Sequence, residues 1–241
     1  MRPTRFAALV CVLCIGNPAA AAAEMPHLGP AVAYQQALIA KAANDLPRAQ
    51  ALLQPLCQAD SGWALPCVDL GEVLLDVGAT AQAMQMITIA IAIDATNARA
   101  WLDRGRLLAL NNEPLPALAA YREAHQLKPE WLEATFLLGD ALETNQQPLD
   151  AMRLYEASAT MQPDDVTLQI RLASLYESHD RLPAAEAALL RVLATAAKNP
   201  GYLRALVNFY QRHAMQAQAD KYSLQLQRLQ PKPARNLRPL R

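Results

Sequence analysis

An all-α solenoid of six tandem helix-turn-helix repeats is the architecture this 241-residue sequence predicts, and three observations predict it. The first is a register. Windows of 34 residues opening at Pro30, Ala64, Ala98, Leu132, Val166 and Pro200 put Ala49, Ala83, Ala117, Ala151, Ala185 and Ala219 all at the twentieth place. Alanine is about one residue in five of this chain, so six such coincidences arise by chance roughly once in sixteen thousand trials, or roughly once in five hundred over all registers. The second is the eighth place, which reads Ala37, Gly71, Gly105, Gly139, Ala173 and Val207. The third is punctuation: polar turns such as Asn111-Asn112-Glu113 and Asn145-Gln146-Gln147 precede Pro114 and Pro148, and Pro47 and Pro183 fall at equivalent places. Proline suits the start of a helix, where its missing N–H would have had no partner.

Each element has a physical reason, clearest in residues 98–131. Gly105 lets two antiparallel helices approach closely, Trp101 and Tyr121 offer large apolar surfaces between them, and Ala117 fits under the crossing where a bigger side chain would clash. Pro129 pushes Lys128 out of the helical region and ends the second helix. The spacing of Trp101, Gly105, Leu108, Ala117, Tyr121, Ala124 and Pro129 resembles the tetratricopeptide repeat. That resemblance implies a right-handed superhelix in which the first helix of each repeat lines a concave groove.

Residues 1–23 read as a secretory signal peptide: Arg2 and Arg5, an apolar run from Phe6 to Ile15, a Gly16-Asn17-Pro18 break, and Ala21-Ala22-Ala23 before Glu24. The run covers about half of the ~20 residues a membrane span needs. Neither Cys11 nor Cys14 follows a small residue as lipid attachment requires. Residues 24–29 form a linker, six repeats follow at 30–63, 64–97, 98–131, 132–165, 166–199 and 200–233, and a basic tail closes the chain at 234–241. The leader takes two of 22 basic side chains and none of 22 acidic ones, leaving a net charge of −2, which offers no nucleic-acid footprint.

Cys57 and Cys67 are the only cysteines beyond the leader and lie ten residues apart across one tight turn. In an exported chain that placement predicts a disulfide. The spacing is not Cys-x-x-Cys and no histidine cluster accompanies it, so a redox or metal role is not expected. His27, His125, His179 and His213 are scattered, and no nucleophile motif or phosphate-cradling glycine loop is present. The chain is not predicted to be an enzyme, and no cofactor or metal is expected.

The expected binding surface is the groove. Its fifth place reads Tyr34, Val68, Leu102, Phe136, Ile170 and Arg204, an apolar ladder of five rungs ending in a base. Its ninth place includes Glu72, Arg106, Asp140 and Asn208, with Glu72, Arg106 and Asp140 also read as ion pairs between repeats. Apolar rungs beside alternating charge suit an extended or helical peptide, whereas the outward faces of the second helices are expected to stay polar. Relatives that clamp a terminal carboxylate use Lys at the fifth place and Asn at the ninth. Here those places hold Tyr34 and Leu38, or Val68 and Glu72, so that mode does not carry over. The stretch Tyr222 to Pro231 is similar to the closing repeat of the six-repeat pilotins of type IV pilus biogenesis. The expected function is a periplasmic scaffold or adaptor that binds a polypeptide partner of an envelope machine for pilus, secretion or envelope assembly. A chaperone-like module for exported proteins such as apocytochromes is the alternative, and a thiol oxidoreductase resting on Cys57 and Cys67 a remote one. Leu224 and Leu229, in a last helix with no successor, are candidates for self-association.

Overall fold

Proline opens most of the helices, and one left-handed residue turns each hairpin. The computed structural model describes residues 29–59 and 62–229. The leader, linker residues 24–28, His27, Pro231 and the tail 234–241 lie outside the described residues. Within them are twelve helices and no strand: α1 Pro30–Ala42, α2 Leu46–Gln58, α3 Leu65–Asp76, α4 Thr80–Ile93, α5 Ala98–Leu110, α6 Pro114–Leu127, α7 Leu132–Thr144, α8 Pro148–Met161, α9 Val166–Ser178, α10 Leu182–Thr195, α11 Pro200–Arg212 and α12 Gln216–Leu229. Seven of these carry Pro at the first or second helical position. Asp45, Asp165 and Asn199 cap α2, α9 and α11 by accepting the N–H of Arg48 (3.3 Å), Leu168 (2.8 Å) and Gly201 (2.9 Å).

Every turn from a first to a second helix is built alike. Asn44, Gly78, Asn112, Gln146, Asp180 and Ala214, each at the fifteenth place, have φ between 56° and 80°. The N–H of the next residue, from Asp45 to Met215, donates to the carbonyl five positions back at 2.8–2.9 Å. The left-handed residue turns the chain so that these carbonyls, which the helix end would leave open, are satisfied within the hairpin itself.

The chain divides into two compact units between Leu107 and Leu108, within α5. In the first, Ala37, Ala40, Leu52, Leu53, Val68, Val73, Ile87 and Ala90 build the core. A Cβ on Gly71 would lie 2.6 Å from Cδ1 of Ile87, which is why that place is small. Between α2 and α3 the structure joins Cys57 to Cys67 by a disulfide, with Cα atoms 4.8 Å apart. In the second unit Gly139 lies against the phenol of Tyr155, where a Cβ would overlap the ring. Towards its end Phe209 and Tyr210 meet edge to face at 5.6 Å, and Tyr210 stacks on Tyr222. The six alanines of the twentieth place are 0–2 % exposed, so a single small residue per repeat sits where packing is tightest.

Two sites are less simply built than the repeat pattern suggests. Trp101 is half-buried and not fully enclosed, with Nε1 donating to the Ala95 carbonyl at 2.8 Å and the Arg104 guanidinium 5.3 Å above its ring. A large amphipathic ring gains by keeping its N–H near a turn carbonyl and its face under a cation. Nor are the outward faces uniformly polar, because α4 has no charged residue and exposes Ile89 and Ile93. On α12, Leu224 and Leu229 are exposed, and Ala219 is its one fully buried residue.

Candidate functional site

Acid–base pairs stitch successive first helices together, and in each unit they shape the face those helices present. In the first unit Tyr34 and Lys41 come from α1, Asp69 and Glu72 from α3, and Arg99, Asp103 and Arg106 from α5. Tyr34 Oη donates to Asp69 at 2.5 Å, and Lys41 donates to Asp69 at 3.0 Å and also to Glu72. Arg99 reaches both carboxylates from the other side, contacting Asp69 at 2.7 Å. Asp69 is almost fully buried. Burial alone would raise its carboxyl, but the Tyr34 hydroxyl, Arg99 and Lys41 outweigh that and hold it below the usual range. Glu72 is lowered likewise, because its hydrogen bonds to Arg99 and Lys41 overcome burial. Burial and then Asp69 push the Tyr34 hydroxyl up, keeping it a donor.

Asp103 behaves in the opposite way. Its Oδ1 accepts from Arg106 at 3.0 Å, while Oδ2 is buried with no hydrogen-bond partner among the described residues. Burial, followed by the charge of Glu72, pushes this carboxyl up to about 7 against the pull of Arg106 and Arg99. The unfolded value lies near 3.9, so the folded form binds the extra proton. The associated stability is present below about pH 4 and is lost as pH rises through about 7. Asp103→Asn is therefore expected to gain stability on the wild type between pH 5 and pH 8 in urea denaturation followed by circular dichroism; parallel pH curves would reject the assignment.

In the second unit, Arg171 on α9 binds Asp140 on α7 through two contacts, at 2.5 and 3.4 Å. Arg212 on α11 binds Glu177 on α9 at 2.8 and 2.9 Å, and His213 Nε2 joins it at 2.8 Å. The Arg212 hydrogen bond is the main reason the Glu177 carboxyl is lowered. Glu143 is raised by burial and then by Asp140, which marks α7 as rich in negative charge. A cleft of about 230 Å³ opens between α7 and the hairpin before it, lined by Ala109, Tyr121, Leu137, Asp140, Ala141 and Thr144 among others.

The expected ladder is thereby redrawn. Val68 and Leu102 are fully buried and present nothing to a ligand; Val68 belongs to the core with Ala37 and Ala40, because a short branched side chain at the fifth place is drawn between helices. Tyr34 is half-buried and committed to Asp69, its ring edge-on to Trp63 at 4.6 Å. Phe136 is half-buried, its centroid 6.2 Å from that of Tyr155. Ile170 is 41 % exposed, and Arg204 and Asn208 are exposed. Glu72 pairs with Lys41 and Arg99, Arg106 with Asp103, and Asp140 with Arg171. Sequence reasoning missed Lys41, Asp69, Arg99 and Asp103; the recurrence of Asp at the sixth place, Asp69 and Asp103, was the available signal.

Among the described residues no group of three or more His, Cys, Asp or Glu is placed to hold a metal, and no helix is long and apolar enough to cross a membrane. Cys57 and Cys67 are sealed in the core, away from any thiol in solution.

Residues 142–208 match the family model of the tetratricopeptide repeat. No curated protein matches the chain. Among solved structures, PilF of Pseudomonas aeruginosa is 21 % identical, with 84 % of this chain and 92 % of that one covered and a TM-score of 0.65. The C-terminal part of a repeat-containing protein from Cytophaga hutchinsonii is 14 % identical, covering 86 % of each chain with a TM-score of 0.71. YrrB, described as a tetratricopeptide-repeat protein with an unusual peptide-binding site, is 15 % identical over 75 % of this chain and 93 % of its own, with a TM-score of 0.59. Residues 142–208 are thus tetratricopeptide repeats, and the twelve paired helices and these likenesses show the all-α fold of such repeats along the described residues.

Proposed function

We propose that the protein is an exported scaffold that holds an extended polypeptide partner on the first-helix face of its second unit, in the service of an envelope assembly machine. One observation carries the reading. On that face the pairs Asp140–Arg171 and Glu177–Arg212 fix the helices, Ile170 of α9 and Arg204 and Asn208 of α11 stay exposed, and Asp140 and Leu137 of α7 also border a cleft. Side chains already held in position contribute specificity at little entropic cost, and the exposed apolar and amide groups contribute contact area and backbone hydrogen bonds. Phe136 and Ile170 are the apolar anchors, and Arg204 and Asn208 orient the chain.

Export is supported by the leader-like residues 1–23 and by a cysteine pair suited to an oxidising compartment. A role in pilus assembly is supported by the fold shared with PilF and by the likeness of Tyr222 to Pro231 to the pilotins. The partner is to be recovered by crosslinking in intact cells and its affinity measured against folded variants. Ile170→Ala combined with Arg204→Ala is expected to weaken binding at least about tenfold, equivalent to ~1.4 kcal/mol. Unchanged affinity in that folded double variant would remove this face from consideration.

A further inference from the structure

The least ordinary surface of the protein is the outward face of the first unit. Every second helix of the other unit shows charge to solvent: Arg122 and Glu123 on α6, Arg153 on α8, Arg191 on α10, Lys221 on α12. Helix α4 has none in its 14 residues, and α2 has only Arg48, in its first turn. In place of charge there are amides. Gln50, Gln54 and Gln58 of α2 and Gln82 and Gln85 of α4 line a groove of about 310 Å³ whose apolar lining includes Leu70 and Leu74. Beside it on α4 the Ile89 side chain is 40 % exposed, at the rim of a shallow, nearly all-apolar hollow it shares with Met84 and Met86.

A neutral face with a groove and an exposed isoleucine side by side has a specific use. Across a two-fold axis the same patch meets itself, so any charge near the axis faces a like charge, and any protrusion must find its hollow on the same surface. Glutamine meets the first demand, since its amide both donates and accepts and so pairs with its own kind. The exposed Ile89 side chain beside the groove meets the second. We propose that two copies of the chain associate through this face, Ile89 of each seated in the glutamine-lined groove of the other. This surface is built from α2 and α4, and the partner-binding one from α7, α9 and α11.

The test is the mass of the full chain, purified as cells process it, by sedimentation over a concentration series. A reversible dimer is expected. Ile89→Glu, which sets two carboxylates into a neutral contact, should weaken it by about a hundredfold or more. Gln85→Glu, a change at an exposed polar position that leaves packing intact, should weaken it in the same direction, and circular dichroism confirms that each variant is folded. A wild-type monomer at all concentrations would overturn the proposal, as would a dimer indifferent to both substitutions. So would a photo-crosslinker at position 89 that captures a different protein while the chain itself stays monomeric, and the face would then belong to that partner.

Discussion

Tyr155→Ala is expected to destabilise the fold by about 3–5 kcal/mol, the range for emptying a buried aromatic site. The ring is fully buried in the second unit, it packs within 6.2 Å of Phe136, and its phenol occupies the space a Cβ on Gly139 would need. Gly139→Ala is therefore expected to cost about 1–3 kcal/mol by overpacking, although alanine is the better helix former by ~1 kcal/mol. The two effects share one volume, so they should not add. With Tyr155 already reduced to Ala, the Gly139→Ala change should become neutral or favourable. Urea denaturation of the two single variants and the double variant measures this directly, and additive losses would show that the small eighth place answers to something other than this ring.

Loss of the Cys57–Cys67 bridge is expected to cost about 3 kcal/mol, the loop-closure value for a ring of this size, and to lower Tm by about 6–12 °C. Both sulfurs are shielded by the cores of α2 and α3, so reduction should require partial unfolding and be slow in native protein. Mass spectrometry of protein taken directly from cells checks the oxidation state, and calorimetry of the Cys57→Ser, Cys67→Ser double variant checks its energetic weight. Two thiols that alkylate freely in native protein would reject the bridge.

The parts of the fold that sequence reveals are those where one steric demand recurs at one place. Ala49, Ala83, Ala117, Ala151, Ala185 and Ala219 are legible because each fills a site too small for anything larger, and Gly71 and Gly139 because Ile87 and Tyr155 occupy the space above them. The candidate site is only partly legible, since its residues are decided by their neighbours across helices. At one and the same place Val68 is sealed in the core and Ile170 stands in solvent. Asp69 and Asp103 look like surface charges until Lys41, Arg99 and Arg106 are brought alongside them, 28, 30 and 3 residues away. Charge pairing over 28 or 30 residues leaves no local pattern. The expectation that outward faces are polar failed at α4 for a different reason: it presumes a surface that meets only water.

The six left-handed turns have a consequence for how the chain acquires structure. Each reversal closes through hydrogen bonds between residues five apart, and the cysteine bridge spans only ten. No hairpin waits for a distant strand or a far-off segment to complete its backbone bonding, which places the protein among chains of low contact order. A polypeptide emerging end-first, from a ribosome or through a narrow translocation pore, can therefore set one hairpin at a time at the rate it is delivered. Since a lone hairpin cannot bury its own apolar face, each is secured as its neighbours stack on it, so the length left open to aggregation or proteolysis at any moment is about three repeats and not the whole chain.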